Sequence, residues 1–185
     1  MIPISVLVLA TLSPILGLLV LGLLFGLVRA RRQANGWRQV AMTDVLTGLP
    51  NRRGLEAHWA AMDGDKALIL IDLVGFKAVN DSHGHIVGDA LLRQVAGRLA
   101  AAVAPPGTLA RWGGDEFAAL IPAGQVAAQQ ALIANAKVMA YDLSGSCGPG
   151  EVRIGARTGV ASGAGGLEVA LLTATRALMQ EKSGG

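Results

Sequence analysis

The 185-residue sequence has one cysteine, few aromatic residues and no charged residue before position 29. With Cys147 alone no intrachain disulfide can form, so disulfide-stapled scaffolds are excluded and a reducing compartment is expected. Aromatic residues make up only 4% of the chain, but 52% of it is hydrophobic, and its 25 glycines follow no regular repeat. This composition excludes disordered and collagen-like proteins.

Positive charge is concentrated in a short segment after the uncharged N-terminus. The net charge is +3 at pH 7, but four arginines precede the first acidic residue, Asp44. They are Arg29, Arg31, Arg32 and Arg38. The rest of the chain carries 12 basic and 13 acidic residues, so it has no excess positive charge for a nucleic-acid backbone. We therefore expect no nucleic acid among the partners.

The 25 residues from 4 to 28 form an apolar run without a charge. About 20 apolar residues suffice for a helix that crosses a bilayer. A cleaved signal peptide is the alternative, but its basic residues precede its apolar run, whereas the arginines here follow it. We therefore expect residues 1–28 to be a transmembrane anchor, with the N-terminus outside and the remaining chain in the cytoplasm. Gly22 and Gly26 form a G-x-x-x-G pattern, which is compatible with helix dimerisation and with ordinary packing.

Helix and strand periodicities alternate after residue 42, which indicates a basic linker over residues 29–42 and one domain over residues 43–185. The predicted strand 67–73 (ALILIDL) is apolar except for Asp72, as is typical of a buried central strand. The predicted elements are helix 52–62, strand 67–73, helix 90–103, strands 109–112 and 117–121, helix 126–141, strand 152–161 and helix 167–181. This order predicts an α/β protein, an α+β sandwich whose helices cover one mixed or antiparallel sheet.

Polar residues interrupt this pattern at three places. Asp72 ends the first strand, Gly-Gly-Asp-Glu at 113–116 forms the tip of a predicted hairpin, and residues 80–89 place polar groups and two glycines between helices. If the two strands are neighbours, Asp72 and Asp115 converge and offer the hard oxygen ligands that Mg²⁺ takes beside nucleotide phosphates. Taken singly, a strand-ending aspartate is more often a turn residue, and a Gly-Gly-Asp-Glu tip is equally a solvated turn.

Four segments, in this order, resemble the GGDEF family, the bacterial diguanylate cyclase domain. They are residues 43–53 (TDVLTGLPNRR), 72–77 (DLVGFK), 80–89 (NDSHGHIVGD) and 113–117 (GGDEF), the last preceded by Arg111-Trp112. The resemblance is strong over residues 43–121 and weak over 122–185. It implies a nucleotidyl-cyclase or palm-like fold with a ferredoxin-type mixed sheet. Because the family is bacterial, the membrane expected from the apolar run and the arginines is the inner (cytoplasmic) membrane.

The activity that the resemblance implies is condensation of two GTP molecules into cyclic di-GMP with release of pyrophosphate. Each 3′-hydroxyl attacks the other nucleotide, so the reaction implies a homodimer in which two domains face each other. By resemblance, Asp72, Asp115 and the carbonyl of Leu73 bind Mg²⁺ (or Mn²⁺). Asp115 is also the candidate proton acceptor, Glu116 assists it, and Lys77 stabilises charge on the phosphates.

Recognition of the substrate is implied at four positions that match the family. The implied substrate-binding residues are Asn80, His85, Asp89 and Lys182, the last as a phosphate contact. A carboxylate can accept both the N1 and N2 hydrogens of guanine, and adenine offers no such donor pair. Asp44 and Arg52 are expected to brace the start of the domain.

The sequence departs from the family pattern at several positions. Val74 replaces the second acid of D-x-D, Ala104 and Gly107 replace the R-x-x-D motif that binds inhibitory product, Arg157 replaces a serine, and Thr175, Met179 and Glu181 replace Asp, Tyr and Ala. Two alternatives to a membrane-anchored diguanylate cyclase therefore stay open. One is a catalytically degenerate GGDEF domain acting as a GTP-binding or protein-interaction signalling adaptor. The other is a related cyclase with a different nucleotide product.

Overall fold

The computed structural model describes residues 19, 21–31, 33, 41–125, 130, 139–142, 144 and 150–183, and the chain divides after residue 41 into two compact units. In the N-terminal unit, residues 21–31 are helical and their large apolar side chains are exposed. No helix in the described part of the chain is long and apolar enough to cross a bilayer. Most of the predicted anchor, residues 1–18 and 20, lies outside the described residues.

The second unit, residues 42–185, contains a five-stranded sheet and four described helices. Its elements are α1 (Arg52–Ala61), β1 (Lys66–Val74), α2 (Phe76–His83), α3 (His85–Ala102), β2 (Thr108–Arg111), β3 (Glu116–Pro122), β4 (Met139–Asp142), β5 (Glu151–Ser162) and α4 (Leu167–Ser183), with a short 3-10 turn at Ala123–Gln125. The predicted strands 67–73, 109–112, 117–121 and 152–161 and the helices 52–62 and 167–181 are therefore confirmed within a few residues.

The strands lie in the order β2-β3-β1-β5-β4, and every neighbouring pair is antiparallel. The α+β sandwich is confirmed. Of the two sheet types that the element order predicted, mixed or antiparallel, the structure has the antiparallel one, and this corrects the mixed sheet that the resemblance implied. β1 and β2 run in the same direction, because each is antiparallel to β3. The chain passes from β1 to β2 through α2 and α3. β1 and β2 are not paired with each other, because β3 lies between them.

Both faces of β1 are buried, which explains its continuous apolar run. Successive side chains of a strand point to opposite faces. Ile69 and Ile71 lie in one core with residues of α2 and α3, and Leu68 and Leu70 lie in a second core with Leu55 of α1 and the alanines of α4. Asp72 continues the second series, so its side chain leaves β1 on the face that α1 and α4 cover.

The prediction of a helix over residues 126–141 is wrong at its C-terminal end. Met139–Asp142 form β4, an edge strand that pairs with β5 through Met139 opposite Ile154 and Tyr141 opposite Val152. The Tyr141 ring is 2% exposed, so tertiary packing holds this segment in the sheet. A short apolar run has no periodicity that separates a strand from a buried helix. Residue 130 is helical, and residues 126–129 and 131–138 lie outside the described part.

The polar segment 80–89 was expected between helices, and the helix after it was expected to begin at residue 90. Instead α2 ends at His83 and α3 begins at His85, so only Gly84 separates them. Gly84 has φ +81°, a conformation that residues with a Cβ rarely adopt, and this permits the abrupt change of direction. The segment is therefore a helix–helix corner whose polar side chains project from two helix ends.

Candidate active site

The ends of β1 and β3 bring the backbone positions of the predicted acidic residues side by side. The strands are neighbours, with Asp72 directly opposite Glu116 in the register. The ladder continues one step further, because the backbone N–H of Leu73 donates to the carbonyl of Asp115 at 3.2 Å. The Asp72 side chain is 13% exposed. The condition on which the sequence argument depended, that the two strands are adjacent, is therefore met.

The tip between β2 and β3 is a tight hairpin closed on Glu116. The backbone N–H groups of Trp112 and Gly113 both donate to the carbonyl oxygen of Glu116, at 2.8 and 3.2 Å. The Glu116 carboxylate folds over Gly113, where an added Cβ would lie 2.8 Å from Oε2. A side chain at position 113 would therefore displace this carboxylate from the end of the sheet.

Arg111, noted in the sequence only as preceding the GGDEF segment, holds the hairpin in place. Its Nε and Nη2 donate to the carbonyl of Gly114 at 3.2 and 2.7 Å, and its Nη1 donates to Asp44 Oδ1 and Oδ2 at 3.1 and 3.2 Å. Its own backbone N–H donates to the carbonyl of Pro50 at 2.9 Å. One guanidinium thus connects the acidic tip to the first segment of the domain. Its place two residues before the Gly-Gly pair was the available signal.

Asp44 accepts the hydrogen bonds of Arg111 at the first segment of the domain. Its Oδ1 also accepts hydrogen bonds from the backbone N–H and the hydroxyl of Thr47, at 2.9 and 2.7 Å. Burial would raise the pKa of Asp44, but the hydrogen bonds from Thr47 and the charge and hydrogen bond of Arg111 together outweigh it and lower that pKa below its ordinary value. Arg52, the other expected brace, stacks over the Trp112 ring at 4.7 Å.

We expect Asp44→Asn to lower the free energy of unfolding by about 1–3 kcal/mol at pH 7, because hydrogen bonds to a charged group contribute on that scale. The folded-state pKa is below the unfolded one, so the carboxylate stabilises the fold above a pH of about 4. That contribution is lost as the pH falls through the folded pKa. Urea unfolding followed by tryptophan fluorescence at pH 7 and in acid tests this. An equal difference at both pH values would contradict it.

The residues at the strand ends fit a divalent cation that is shared with a nucleotide. In the described part of the chain, no group of three His, Cys, Asp or Glu side chains is arranged to hold a metal ion. Mg²⁺ commonly takes only one or two protein carboxylates and completes its shell with water and substrate phosphates. Asp72 and Asp115 on adjoining chain ends supply that number, and the backbone carbonyl of Leu73 is in the same stretch.

Lys182 lies against Asp72 across more than a hundred residues of sequence. Its Nζ is 2.9 Å from Asp72 Oδ2, and its side chain is 42% exposed. The preceding residue fixes the end of α4 to the sheet, because Glu181 Oε2 accepts a hydrogen bond from the backbone N–H of Thr158 at 2.7 Å. The predicted phosphate contact and the predicted metal ligand are therefore neighbours. Lys77 is exposed in the first turn of α2, and the structure gives it no bond to another described residue.

The remaining predicted residues lie at the corner between α2 and α3. Asn80 is half-buried, and no hydrogen-bond donor in the described part of the chain reaches its buried Oδ1. This oxygen faces Gly88 so closely that a Cβ at residue 88 would overlap with it. His85 and Asp89 are exposed in the first turns of α3. An unpaired buried acceptor thus adjoins an accessible carboxylate.

The structure shows the surroundings of three departures from the family pattern. Val74 ends β1 opposite Gly155 and supplies no acid. Ala104 and Gly107 form a turn closed by a 2.9 Å hydrogen bond from the Gly107 N–H to the Ala104 carbonyl, and neither has a charged side chain. Thr175 lines, with Glu116, a cavity of about 50 Å³ between the hairpin and α4.

A comparison with protein families matches residues 41–185 to the diguanylate cyclase, GGDEF domain. The chain is 42% identical over 142 residues to the bifunctional diguanylate cyclase/cyclic di-GMP phosphodiesterase MucR of Pseudomonas aeruginosa, covering 73% of this chain and 20% of that protein. It is 40% identical over 103 residues to the diguanylate cyclase DgcP of the same organism, covering 52% of this chain and 15% of that protein. The chain therefore spans a fifth or less of the length of these relatives.

Solved structures show the same fold. The coiled coil and GGDEF domain of DgcB from Caulobacter crescentus, in complex with c-di-GMP, superposes with a TM-score of 0.72 at 27% identity, covering 86% of this chain and 90% of that one. A sensory box/GGDEF family protein from Caulobacter crescentus gives a TM-score of 0.67 at 37% identity, covering 78% of this chain and 99% of that one.

Proposed function

This chain belongs to the GGDEF family of diguanylate cyclase domains, and from that premise we propose that it is a membrane-anchored diguanylate cyclase. It condenses two GTP molecules into cyclic di-GMP and releases two pyrophosphates. The observation that carries the proposal is that Asp72, Asp115 and Glu116 occupy neighbouring backbone positions at the adjoining ends of β1 and β3, with Lys182 Nζ 2.9 Å from Asp72 Oδ2. Carboxylates beside a lysine suit a site that binds a metal–nucleotide complex.

Asp72, Asp115 and the Leu73 carbonyl are the residues that would hold Mg²⁺ or Mn²⁺. When bound, the cation lowers the pKa of the attacking hydroxyl and neutralises charge on the phosphates. Asp115 accepts the proton of the 3′-hydroxyl, and Glu116, held over Gly113, orients that end of the hairpin. Lys182 approaches the phosphates from α4, and Lys77, exposed at the start of α2, approaches them from the other side of the β1 end.

In this proposal, the corner between α2 and α3 binds the guanine base and distinguishes it from adenine. Burying the Asn80 acceptor without a donor costs about 1–3 kcal/mol, and a rotation of the amide towards a ligand N–H recovers that cost. Asp89 accepts the N1 and N2 hydrogens of guanine, and His85 borders the same opening. Adenine would leave the carboxylate without a donor, so the site favours GTP over ATP.

Two copies of the chain are required, because each domain holds one GTP and each 3′-hydroxyl attacks the α-phosphorus of the other. The proposed partners are therefore GTP, a second copy of this chain and the membrane. Gly22 and Gly26, in the helical residues 21–31, have open space where a Cβ would lie, which leaves them free for a helix contact.

The proposed location is the inner (cytoplasmic) membrane, crossed once by residues 4–28, with the domain in the cytoplasm where GTP is available. It is supported by the arginines that follow the apolar run. We expect a reporter enzyme that functions only in the cytoplasm to be active when it is fused after Gly185. We also expect the mature chain to keep residues 1–28. A fusion active only in the periplasm, or loss of those residues, would overturn the anchor.

The direct test of the function uses the full chain in detergent with GTP and Mg²⁺. Mass spectrometry should detect cyclic di-GMP and twice its amount of pyrophosphate. The adaptor alternative is favoured by the missing acid at Val74, and it predicts GTP binding without product. An equimolar mixture of GTP and ATP tests the third possibility, because a related cyclase would yield a mixed or adenine-containing cyclic dinucleotide.

A further inference from the structure

Arg157 lies in a row of charged residues that crosses the sheet at the active-site end. It is directly opposite Asp72 on one side of β1, and Glu116 is directly opposite Asp72 on the other side. Directly opposed residues of antiparallel strands point to the same face, with Cβ atoms about 4.5–5.5 Å apart. Arg157 therefore projects on the same face as the two carboxylates.

The end of α4 is fixed beside this row. Gly159, two residues after Arg157, has no room for a Cβ, which would overlap with the Ala174 carbonyl and lie 2.8 Å from the Leu178 nitrogen. This close approach and the Thr158–Glu181 hydrogen bond bring Lys182 to Asp72. Lys182 of α4 thus contacts Asp72, and Arg157 leaves the neighbouring strand β5 on the same face.

Arg157 is half-buried, and it makes no hydrogen bond or ion pair with any residue in the described part of the chain. Burying charge costs free energy unless it is compensated, so a partly buried arginine without an acidic partner favours an anionic ligand. Its five N–H donors match the geometry of phosphate oxygens, which it can grip in a bidentate manner. The missing acid at Val74, two residues along the same ladder, makes this end of β1 less negative and so more favourable for an anion.

We propose that Arg157 contacts the triphosphate of the bound nucleotide together with Lys182, and this inference rests on the proposed function. The pattern that the rest of the chain resembles has a serine at this position, which carries no charge for such a contact. Arg157 is thus a substrate-positioning residue particular to this sequence. It supplies positive charge from the β5 side of the site, opposite the side from which the hairpin carboxylates approach.

The test measures binding to the full chain in detergent with Mg²⁺, using the non-reactive analogue guanosine 5′-[α,β-methylene]triphosphate, inorganic tripolyphosphate and guanosine. We expect Arg157→Ser to weaken binding of the analogue and of tripolyphosphate about tenfold, the loss of one charge-assisted contact, and to leave guanosine binding unchanged. Arg157→Lys should recover part of the loss. Arg153→Ser is the matched control, since Arg153 is an exposed arginine of the same strand that pairs with Glu151 at 3.0 Å.

Unchanged binding of both triphosphates by Arg157→Ser would overturn the inference, and so would an equal loss of guanosine. If Arg157→Ser fails to fold, Arg157→Lys decides. Binding of both triphosphates weakened by a few fold with unchanged guanosine binding supports the contact, and wild-type binding or loss of all three ligands together refutes it. The proposed function is tested independently of this contact. A wild-type chain that forms no cyclic di-GMP but binds tripolyphosphate through Arg157 would refute the cyclase and keep this contact.

Discussion

Asp115→Asn is expected to lower cyclic di-GMP synthesis by about a thousandfold, because it removes a proton acceptor and a cation ligand in one change. Asparagine has the same shape, so the hairpin closed by the Trp112 and Gly113 N–H groups should keep its geometry. Binding of GTP should change only a few fold, since the proposed base-reading residues lie on α2 and α3. The measurements are initial rates of product formation and equilibrium GTP binding for the same preparation.

The matched control is Asp63→Asn, the same chemical change at an exposed position in the loop before β1. It should leave the rate unchanged. If Asp115→Asn kept a tenth or more of the wild-type rate, the carboxylate would not be the proton acceptor. A variant that lost GTP binding in proportion to its rate would instead assign Asp115 to substrate binding.

Elements with a strong local pattern could be predicted from the sequence. β1 is apolar on both faces because helices cover both sides of it, and that double burial is visible in the five consecutive apolar residues 67–71. β4 could not be predicted, because Met139–Asp142 is a strand only through its pairing with β5, which begins at Glu151. The helix corner at Gly84 was also missed, because polar residues at helix ends resemble a loop in sequence.

The active site was predictable in its residue types but not in its contacts. The sequence places Asp72 and Asp115 at strand ends, and only the strand order decides whether those ends are adjacent. The contact of Lys182 with Asp72 joins residues at opposite ends of the domain, and the position of Arg157 opposite Asp72 depends on the register of β1 and β5. Such contacts follow from tertiary packing, which no local periodicity encodes.

Asp89→Ala is expected to raise the KM for GTP about a hundredfold and to lower the preference for GTP over ATP by a similar factor. The carboxylate is proposed to accept two hydrogen bonds from guanine, each stronger than a neutral one because the acceptor is charged. The rate at saturating GTP should fall much less, because Asp89 lies on α3 and away from the strand ends where phosphates are proposed to bind. Steady-state kinetics with each nucleotide, and with both in competition, separates these effects.

A second variant tests the same corner without touching the carboxylate. Gly88→Ala places a methyl group where Asn80 Oδ1 lies, so the amide must move and GTP binding should weaken while the Asp89 side chain stays intact. Asp65→Ala, at an exposed loop position, is the control for loss of an acidic side chain. If Asp89→Ala and Gly88→Ala both retain the wild-type preference for GTP, the base is recognised elsewhere. If these variants lower the maximal rate and leave KM unchanged, this corner positions the bound GTP for the reaction and does not determine recognition of the base.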